Sequence, residues 1–427
     1  MMGDYTKMWT ELGLDLKGHD ALLSVLGGAY TNIFLSQKNR PEGMKYFDFV
    51  MSEVHGLRIQ ELMDAKAQGR KVIGSYCVFV PEELILAVDG VSVGLCAGAE
   101  FNFEGAETML PRNTCALIKS AFGFKLGQVC PYLEASDVVI GENTCDGKKK
   151  AYEMLAPLVK DLYVMDMPQM KSESGKMLLK EEYRKLIDKL EKVSGKKVTV
   201  ESLQKGINIV NAKRDAIRRL TELRAADPAP ISGLDALLVN QVFFYDDPVR
   251  FTDSVNKLCD ELEDRVKKGI GIFPKGTTRV IVSGCPMAVP NWKLPMLIES
   301  VNAVIVGEES CVGERGARWI TEPKGKTVDD LLDTITERYF NIDCAIFTPN
   351  PSRLAYIKEM SKKLKADGVI HYSLQFCQPY IMESGPVEKN LEKSGIPTIL
   401  LETDYSEQDA GQLKTRIEAF VERLHKK

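Results

Sequence analysis

The sequence lacks the fingerprints by which most enzymes hold a nucleotide or a catalytic zinc ion. Neither the phosphate-cradling P-loop nor the dinucleotide motif G-x-G-x-x-G occurs. Only four histidines are present (His19, His55, His371 and His425), with no H-E-x-x-H, which excludes a zinc hydrolase of that kind. No apolar run approaches the ~18 residues of a membrane-spanning helix. The opening MMGDYTKMWTELGLDLKGHD has no apolar signal core. The expectation is therefore a cytoplasmic chain without a membrane anchor. Surplus charge is missing too. The 56 Lys+Arg stand against 60 Asp+Glu, a net charge of -4, so no positive stripe invites nucleic acid. With 44% hydrophobic and 27% charged residues, the 427-residue chain has an ordinary globular composition. At roughly 100–200 residues per domain, that length suggests two or three domains.

Cysteine, by contrast, is plentiful. The ten are Cys77, Cys96, Cys115, Cys130, Cys145, Cys259, Cys285, Cys311, Cys344 and Cys377, and at least fourteen residues separate any two. That separation excludes C-x-x-C redox chemistry, zinc ribbons and ferredoxin-type cluster runs. In a cytoplasmic protein the thiols are expected to be free, redox-active or metal-bound rather than disulfide-paired.

The hydrophobic pattern predicts an N-terminal helical segment over 1–68, with Leu57, Ile59, Leu62, Met63 and Ala65 on one helix face. Strand–helix alternation follows over 69–170. KVIGSYC, VSVGLC and SDVVIGENTC read as strands, and a helix starts near Asp146. Pro81 suits a first helical turn, and Glu82 and Glu83 suit the positive end of the helix dipole. Residues 171–270 read as a charged helical connector or cap. It is broken at Asp227-Pro-Ala-Pro230, and Asp247-Pro248 has the form of a cap and first helical position. Strands return over 271–427 in TRVIVSGC, NAVIVGEESC, NIDCAIF, GVIHYSLQFC and TILLETD, with a helix from Val328 to about Phe340 and an amphipathic C-terminal helix. The fold class is α/β, with two parallel-sheet domains. One internal echo, VVIGENTCDGKKK against VIVGEESCVGERG, hints at related halves.

Cys77, Cys96, Cys145, Cys285, Cys311 and Cys377 each lie just past a β-branched run. Cys344 begins one, and Cys115 lies between strand units. Ligands of open parallel sheets bind beyond the carboxyl ends of the strands, so thiols far apart in sequence can share one crevice. The spacings 19, 19, 26, 33 and 33 along 77–115 and 285–377 match βα units. A thiolate-rich set with so little histidine points to iron–sulfur or zinc. Cys259, within a charged helix, reads as structural, and Cys130 is ambiguous. Lys148, Lys149 and Lys150 could offset thiolate charge, dock an acidic electron donor or simply be solvated; Arg315 and Arg318 admit the same readings. Glu142, Glu308 and Glu309 precede site cysteines and are candidates for proton delivery. His371 reads as packed within a strand.

Four segments carry a resemblance: VPEELILAVDGVSVGL, PRNTCALIKSAFG, CPYLEASDVVIGENTCDGKKKAYEML, and the stretch from FCQPYIMESG to RIEAF near the C-terminus. Together they resemble the 2-hydroxyacyl-CoA dehydratase / benzoyl-CoA reductase superfamily. The resemblance implies two Rossmann-like domains and a [4Fe-4S] cluster on Cys115, Cys145 and Cys377. The additional Cys96, Cys285, Cys311 and Cys344 are similar to the double-cubane branch, with its [8Fe-9S] centre. That likeness implies a second cubane on Cys285, Cys311 and Cys344, with Cys96 in reserve and Cys77 less favoured. It further implies a homodimer and an ATP-hydrolysing [4Fe-4S] reductase as electron donor, with ATP used by that partner and not bound here. The activity so implied is reduction of small unsaturated molecules such as acetylene, azide or hydrazine. The alternative is a subunit of an (R)-2-hydroxyacyl-CoA dehydratase, a radical lyase with a single [4Fe-4S] cluster.

Overall fold

A computed structural model describes residues 4–425. The β-branched runs form two four-stranded sheets. The first holds β1 (Val72–Ser75), β2 (Val91–Gly94), β3 (Val138–Glu142) and β4 (Leu162–Met165), in the order β2-β1-β3-β4. The second holds β5 (Thr278–Gly284), β6 (Ala303–Glu309), β7 (Gly368–Leu374) and β8 (Thr398–Thr403), in the order β6-β5-β7-β8. Every pairing is parallel. Counted from its own first strand, each sheet therefore has the same order, and the chain is built from two Rossmann-like α/β units. β3, β5, β6 and β7 are buried along their whole length. That is the burial of strands covered by helices on both faces, and it explains their nearly unbroken apolar sequence.

The N-terminal helices are α1 (Thr6–Glu11), α2 (Leu16–Tyr30), α3 (Met44–Ser52) and α4 (Leu57–Ala67), with a π-helical turn at Thr31–Leu35. The first unit adds α5 (Glu82–Ala87), α6 (Phe103–Ala106), α7 (Ala116–Leu126), α8 (Pro131–Ala135) and α9 (Asp146–Leu155). Between the sheets run α10 (Glu173–Ser194), α11 (Val200–Leu223), α12 (Gly233–Val242) and α13 (Pro248–Lys267). The second unit carries α14 (Lys293–Glu299), α15 (Glu314–Ala317), α16 (Val328–Phe340), α17 (Pro351–Lys363), α18 (Gln378–Glu392) and α19 (Ala410–His425). No helix of the described residues is long and apolar enough to cross a membrane.

Local chemistry sets several boundaries. The Asp247 carboxylate accepts from the backbone N–H groups of Val249 and Arg250, and Pro248 opens α13 where no amide donor is needed. Pro81 is the residue capping α5 rather than its first helical residue. The strand expected at NIDCAIF (341–347) is a loop. Its Asp343 is anchored by Lys171 at 2.6 Å and Arg318 at 2.9 Å. Pro349 and Pro351 follow directly and could not extend a ladder, because they have no N–H to donate. The pattern reading lacks β4, a four-residue strand at the edge of its sheet.

The connecting helices are wedged between the units. α11 packs on α5 of the first unit and on α15 and α16 of the second; α12 packs on β6 and α14. Gly206 permits the α11–α5 approach, since a Cβ there would lie 2.6 Å from the Glu83 carbonyl oxygen. At the end of α11, Arg224 grips both carboxylate oxygens of Glu308 at 2.6 Å, and both side chains are almost wholly buried. Glu308→Gln would leave that guanidinium without a counter-charge. The variant is expected to lose about 3–5 kcal/mol of unfolding free energy, read from the urea midpoint at unchanged slope. A loss below about 1 kcal/mol would show that the pair is not a stabilising element.

Candidate functional site

Because both sheets are parallel, each delivers its strand ends to one edge, and the thiols follow. Cys77, Cys96 and Cys145 come just after β1, β2 and β3; Cys285, Cys311 and Cys377 come just after β5, β6 and β7. Cys115 is the residue capping α7, and Cys344 lies in the loop before α17. All eight line one cavity of about 1100 Å3 between the units. Four come from each unit, at matching places. Cys77 matches Cys285, Cys96 matches Cys311, Cys115 matches Cys344, and Cys145 matches Cys377. The internal echo in the sequence aligns differently: it sets third-strand β3 against second-strand β6, which are not equivalent positions in the two sheets. Cys130, at the start of α8, and Cys259, buried in α13, do not line the cavity.

The thiols fall into two neighbourhoods. Cys377 lies beside Cys115 and Cys285, and Cys145 senses both Cys115 and Cys344. On the other side, Cys311 and Cys344 are mutual neighbours, and Cys77 senses both. Cys285 therefore adjoins Cys377, a member of the expected first set. Backbone N–H groups of Lys148 and Leu374 donate to the sulfurs of Cys145 (3.5 Å) and Cys285 (3.3 Å), and Arg315 Nη1 lies 3.4 Å from that of Cys311. Cys96 instead donates its S–H to the Tyr76 carbonyl at 3.0 Å. Two backbone features aim these thiols. Gly284 has φ +138°, and a Cβ there would lie 1.9 Å from the Tyr372 carbonyl oxygen. Phe376, just before Cys377, holds φ +64°, a strained conformation for a bulky residue.

Burial pushes the Cys77 thiol up to about 12. The hydrogen bond with Cys377, followed by burial, holds Cys115 well above the usual thiol range. Such thiols ionise only when a compensating cation is present. Among the described residues no three His, Cys, Asp or Glu side chains could hold a metal ion together. The thiols surround a volume rather than a point. A lone zinc ion does not fit this arrangement, whereas an iron–sulfur cluster, ligated at its corners by thiolates, does.

The charged candidates separate clearly. Glu142 is buried and bonded to Lys148, with the Tyr152 hydroxyl 3.4 Å away, and of these three Lys148 and not Glu142 reaches the cavity wall. Glu308 is occupied by Arg224. Glu309 is gripped by Arg315 at 2.7 Å, Arg353 at 3.0 Å and the Ser283 hydroxyl at 2.7 Å. Burial opposes ionisation of Glu309, but the two guanidinium groups outweigh it and hold its pKa below the usual carboxylate range. Neither Glu308 nor Glu309 faces the cavity. Lys149 and Lys150 are exposed. Arg318 is paired with Asp343. Glu82 binds Lys213 at 2.8 Å and Glu83 binds Arg214 at 2.7 Å, so both serve buried ion pairs rather than the helix dipole alone. His371 is wholly buried in β7, and burial lowers it to about 3. The sequence reading missed Lys213, Arg214 and Arg338 on the cavity wall. They lie in charged helices whose outer and inner faces differ only once packed.

A family model described as 2-hydroxyglutaryl-CoA dehydratase, D-component, matches residues 77–424. A protein of Escherichia coli (strain K12), provisionally named dehydratase subunit YjiM, is 34% identical over 87% of this chain and 96% of its own length. The (R)-phenyllactyl-CoA dehydratase beta subunit of Clostridium sporogenes is 29% identical over 89% of this chain and 99% of its own. The (R)-2-hydroxyglutaryl-CoA dehydratase subunit beta of Acidaminococcus fermentans is 23% identical over 84% and 94%. The last two are named as subunits of dehydratases that act on acyl-CoA thioesters. They overturn the expectation of a reductase for acetylene, azide or hydrazine, which rested on the surplus of cysteines. They favour the dehydratase alternative. On the reach of the family match and the 34% identity, the chain belongs to the 2-hydroxyglutaryl-CoA dehydratase D-component family.

Proposed function

We propose that this chain is the cluster-holding subunit of an (R)-2-hydroxyacyl-CoA dehydratase. The observation that carries the reading is the convergence of eight thiols on one cavity at the shared edge of two parallel sheets. Cys115, Cys145 and Cys377 are the ligands of a [4Fe-4S] cluster in this reading, supported by the proximity of Cys115 to both Cys377 and Cys145. When bound, the cluster supplies one-electron reduction of a thioester, the chemistry that lets a 2-hydroxyl leave as water. Phe243, Phe244, Ile346 and Phe347 form an apolar wall that keeps bulk water from the acyl group. The Lys148 ammonium, held by Glu142, is a cavity-facing group placed to hold or give a proton. Glu142 acts through it as a positioning residue.

The larger double cubane is a second reading of the cofactor alone. It is favoured by one observation: Cys77, Cys311 and Cys344 form a second thiol neighbourhood on the same cavity. Iron content decides between the two. A single cubane corresponds to about four irons per anaerobically purified chain, and a double cubane to about eight. Cys115→Ser, Cys145→Ser and Cys377→Ser are each expected to lose most of the iron, because a hydroxyl substitutes poorly for thiolate at iron. Cys259→Ser is expected to keep it. Full iron in Cys145→Ser would show that the site is misplaced.

For electrons, the proposed partner is an ATP-hydrolysing activator that carries its own [4Fe-4S] cluster, and ATP is not bound by this chain. The beta-subunit names of two of these relatives support assembly with a second, different subunit; a homodimer is the competing arrangement. Dehydration of an (R)-2-hydroxyacyl-CoA is expected only when activator, ATP and companion subunit are all supplied. Turnover by this chain with neither ATP nor activator would overturn the coupling.

A further inference from the structure

The cavity wall includes Tyr245, whose hydroxyl donates to the backbone carbonyl of Cys96 at 3.1 Å. From there a line of aromatic side chains leads away from the thiols. Ring centres are 5.2 Å apart from Tyr245 to Tyr132, 6.0 Å from Tyr132 to His55 and 5.1 Å from His55 to His19. The line continues over 4.4 Å to Trp9 and 6.0 Å to Tyr5. Tyr132 and His19 are buried, whereas Trp9 and Tyr5 are half-buried at α1.

The links are bonded as well as stacked. Three consecutive residues between α3 and α4 each accept one hydrogen bond. Glu53 accepts from the Tyr5 hydroxyl at 2.8 Å, the Val54 carbonyl from the Tyr132 hydroxyl at 2.8 Å, and the His55 carbonyl from the Trp9 indole N–H at 2.7 Å. Tyr132 and Trp9 are thus joined through the backbone of His55. The His19 and His55 rings share a further hydrogen bond at 3.0 Å. Phenylalanine would fill these places without needing an acceptor at each step. Tyrosine and tryptophan add the capacity to give up an electron. Electron transfer through protein slows exponentially with distance, so several short steps outrun one long one. Of the three phenols, Tyr5 alone donates to a carboxylate; Tyr245 and Tyr132 donate to carbonyls, which are weak bases. A phenol stays oxidised only where its proton can leave, so the line ends at Tyr5. Its outer four members lie ahead of residue 77, where the family match begins.

We propose that this line carries oxidising equivalents out of the cavity and so protects the thiolates there when dioxygen, reduced to peroxide, meets the iron-loaded protein. The inference needs iron in the cavity and does not need the dehydration reaction. Reduced iron gives peroxide one electron, and the O–O bond breaks to hydroxide and a hydroxyl radical. The line supplies the second electron through Tyr245, and the radical leaves as hydroxide. Tyr245 is refilled from Tyr132, Tyr132 from Trp9, and Trp9 from Tyr5. The proton of Tyr5 passes to Glu53, and the tyrosyl radical left behind takes a hydrogen atom from a small thiol in solution. Without the line, the electron-rich groups at hand are the cavity thiols, whose oxidation to sulfinic acid is not reversed without a dedicated enzyme.

The test gives anaerobic, iron-loaded protein a limited dose of hydrogen peroxide and maps oxidation at each residue by mass spectrometry of its peptides. Trp319, 39% exposed and off the line, is the reference, because attack from solution favours it over the half-buried Trp9. In the unaltered protein Trp9 and Tyr5 are expected to be oxidised at least about fivefold more than Trp319. Tyr132→Phe keeps the ring and removes the step. It should bring that ratio to parity and move oxidation inward, to Tyr245 and the cavity cysteines. Parity in the unaltered protein overturns the proposal, and that measurement needs no variant to fold. An undiminished ratio in a Tyr132→Phe protein that retains its iron overturns it too. So does the same ratio in protein stripped of iron, which would trace the oxidation to the surface. Absence of dehydratase activity, measured separately, would remove that reading and leave the line standing.

Discussion

Three parts of the chain meet on one buried carboxylate. Glu83, in α5 of the first unit, binds Arg214 of α11 and accepts hydrogen bonds from Tyr339 of α16 at 2.7 Å and Thr321 at 3.0 Å. Arg214 in turn reaches the Tyr339 hydroxyl at 2.9 Å. First unit, connector and second unit are thereby tied at a point with almost no solvent. Removing any one partner would leave a desolvated charge, so the three cannot drift apart piecemeal. The neighbouring Lys213–Glu82 pair extends the same seam, and Lys213 lies 3.8 Å from the centre of the Phe243 ring. The cavity's spacing depends on that seam. If the units separated, the thiols of the two sheets would no longer face a common volume.

The second constraint is topological. In each sheet the first strand lies between the second and the third, so the chain crosses outward in both directions from that strand. Such a switch point opens a crevice at the carboxyl edge, where side chains from different crossovers converge. Using the arrangement twice, face to face, produces four cysteines per unit at matching positions. That regularity is invisible in residue spacing. It also explains why the one audible echo in the sequence, around Cys145 and Cys311, joins strands that are not counterparts. The local demand is similar in both places, a buried strand turning sharply into a helix, and similar demands select similar residues.

Chemistry is not read from such a scaffold alone, since one fold serves many reactions. The surplus thiols suggested a larger cluster and small-molecule reduction, whereas two of the relatives are named as subunits of acyl-CoA dehydratases. A cavity of about 1100 Å3 with aromatic walls and several buried cations has features that a substrate of two or three heavy atoms would not use. Glu308 and Glu309 illustrate the same caution at single residues. Their place beside cysteines suggested proton transfer, but each is held by guanidinium groups and turned away from the cavity.

Much was legible in the sequence because it is written locally. Buried parallel strands need unbroken apolar runs, helix starts need caps such as Asp247, and a thiol after a strand must lie at the sheet's carboxyl edge. The two α/β units, the extents of most strands, and the separation of Cys259 from the other thiols all follow from such rules. Other features depend on what packs against what. NIDCAIF has strand-like composition but no free sheet edge to join, and Asp343 pins it as a loop. The sequence by itself determined which residues stand at the strand ends. Only the tertiary structure decided which thiols are neighbours, setting Cys285 beside Cys377, and which buried carboxylates and cations pair across the seam, as Glu83 with Arg214 and Lys213 with Glu82 do. Neighbourhood and charge balance are set by the seam between units, across contacts more than a hundred residues apart, where no local pattern reaches.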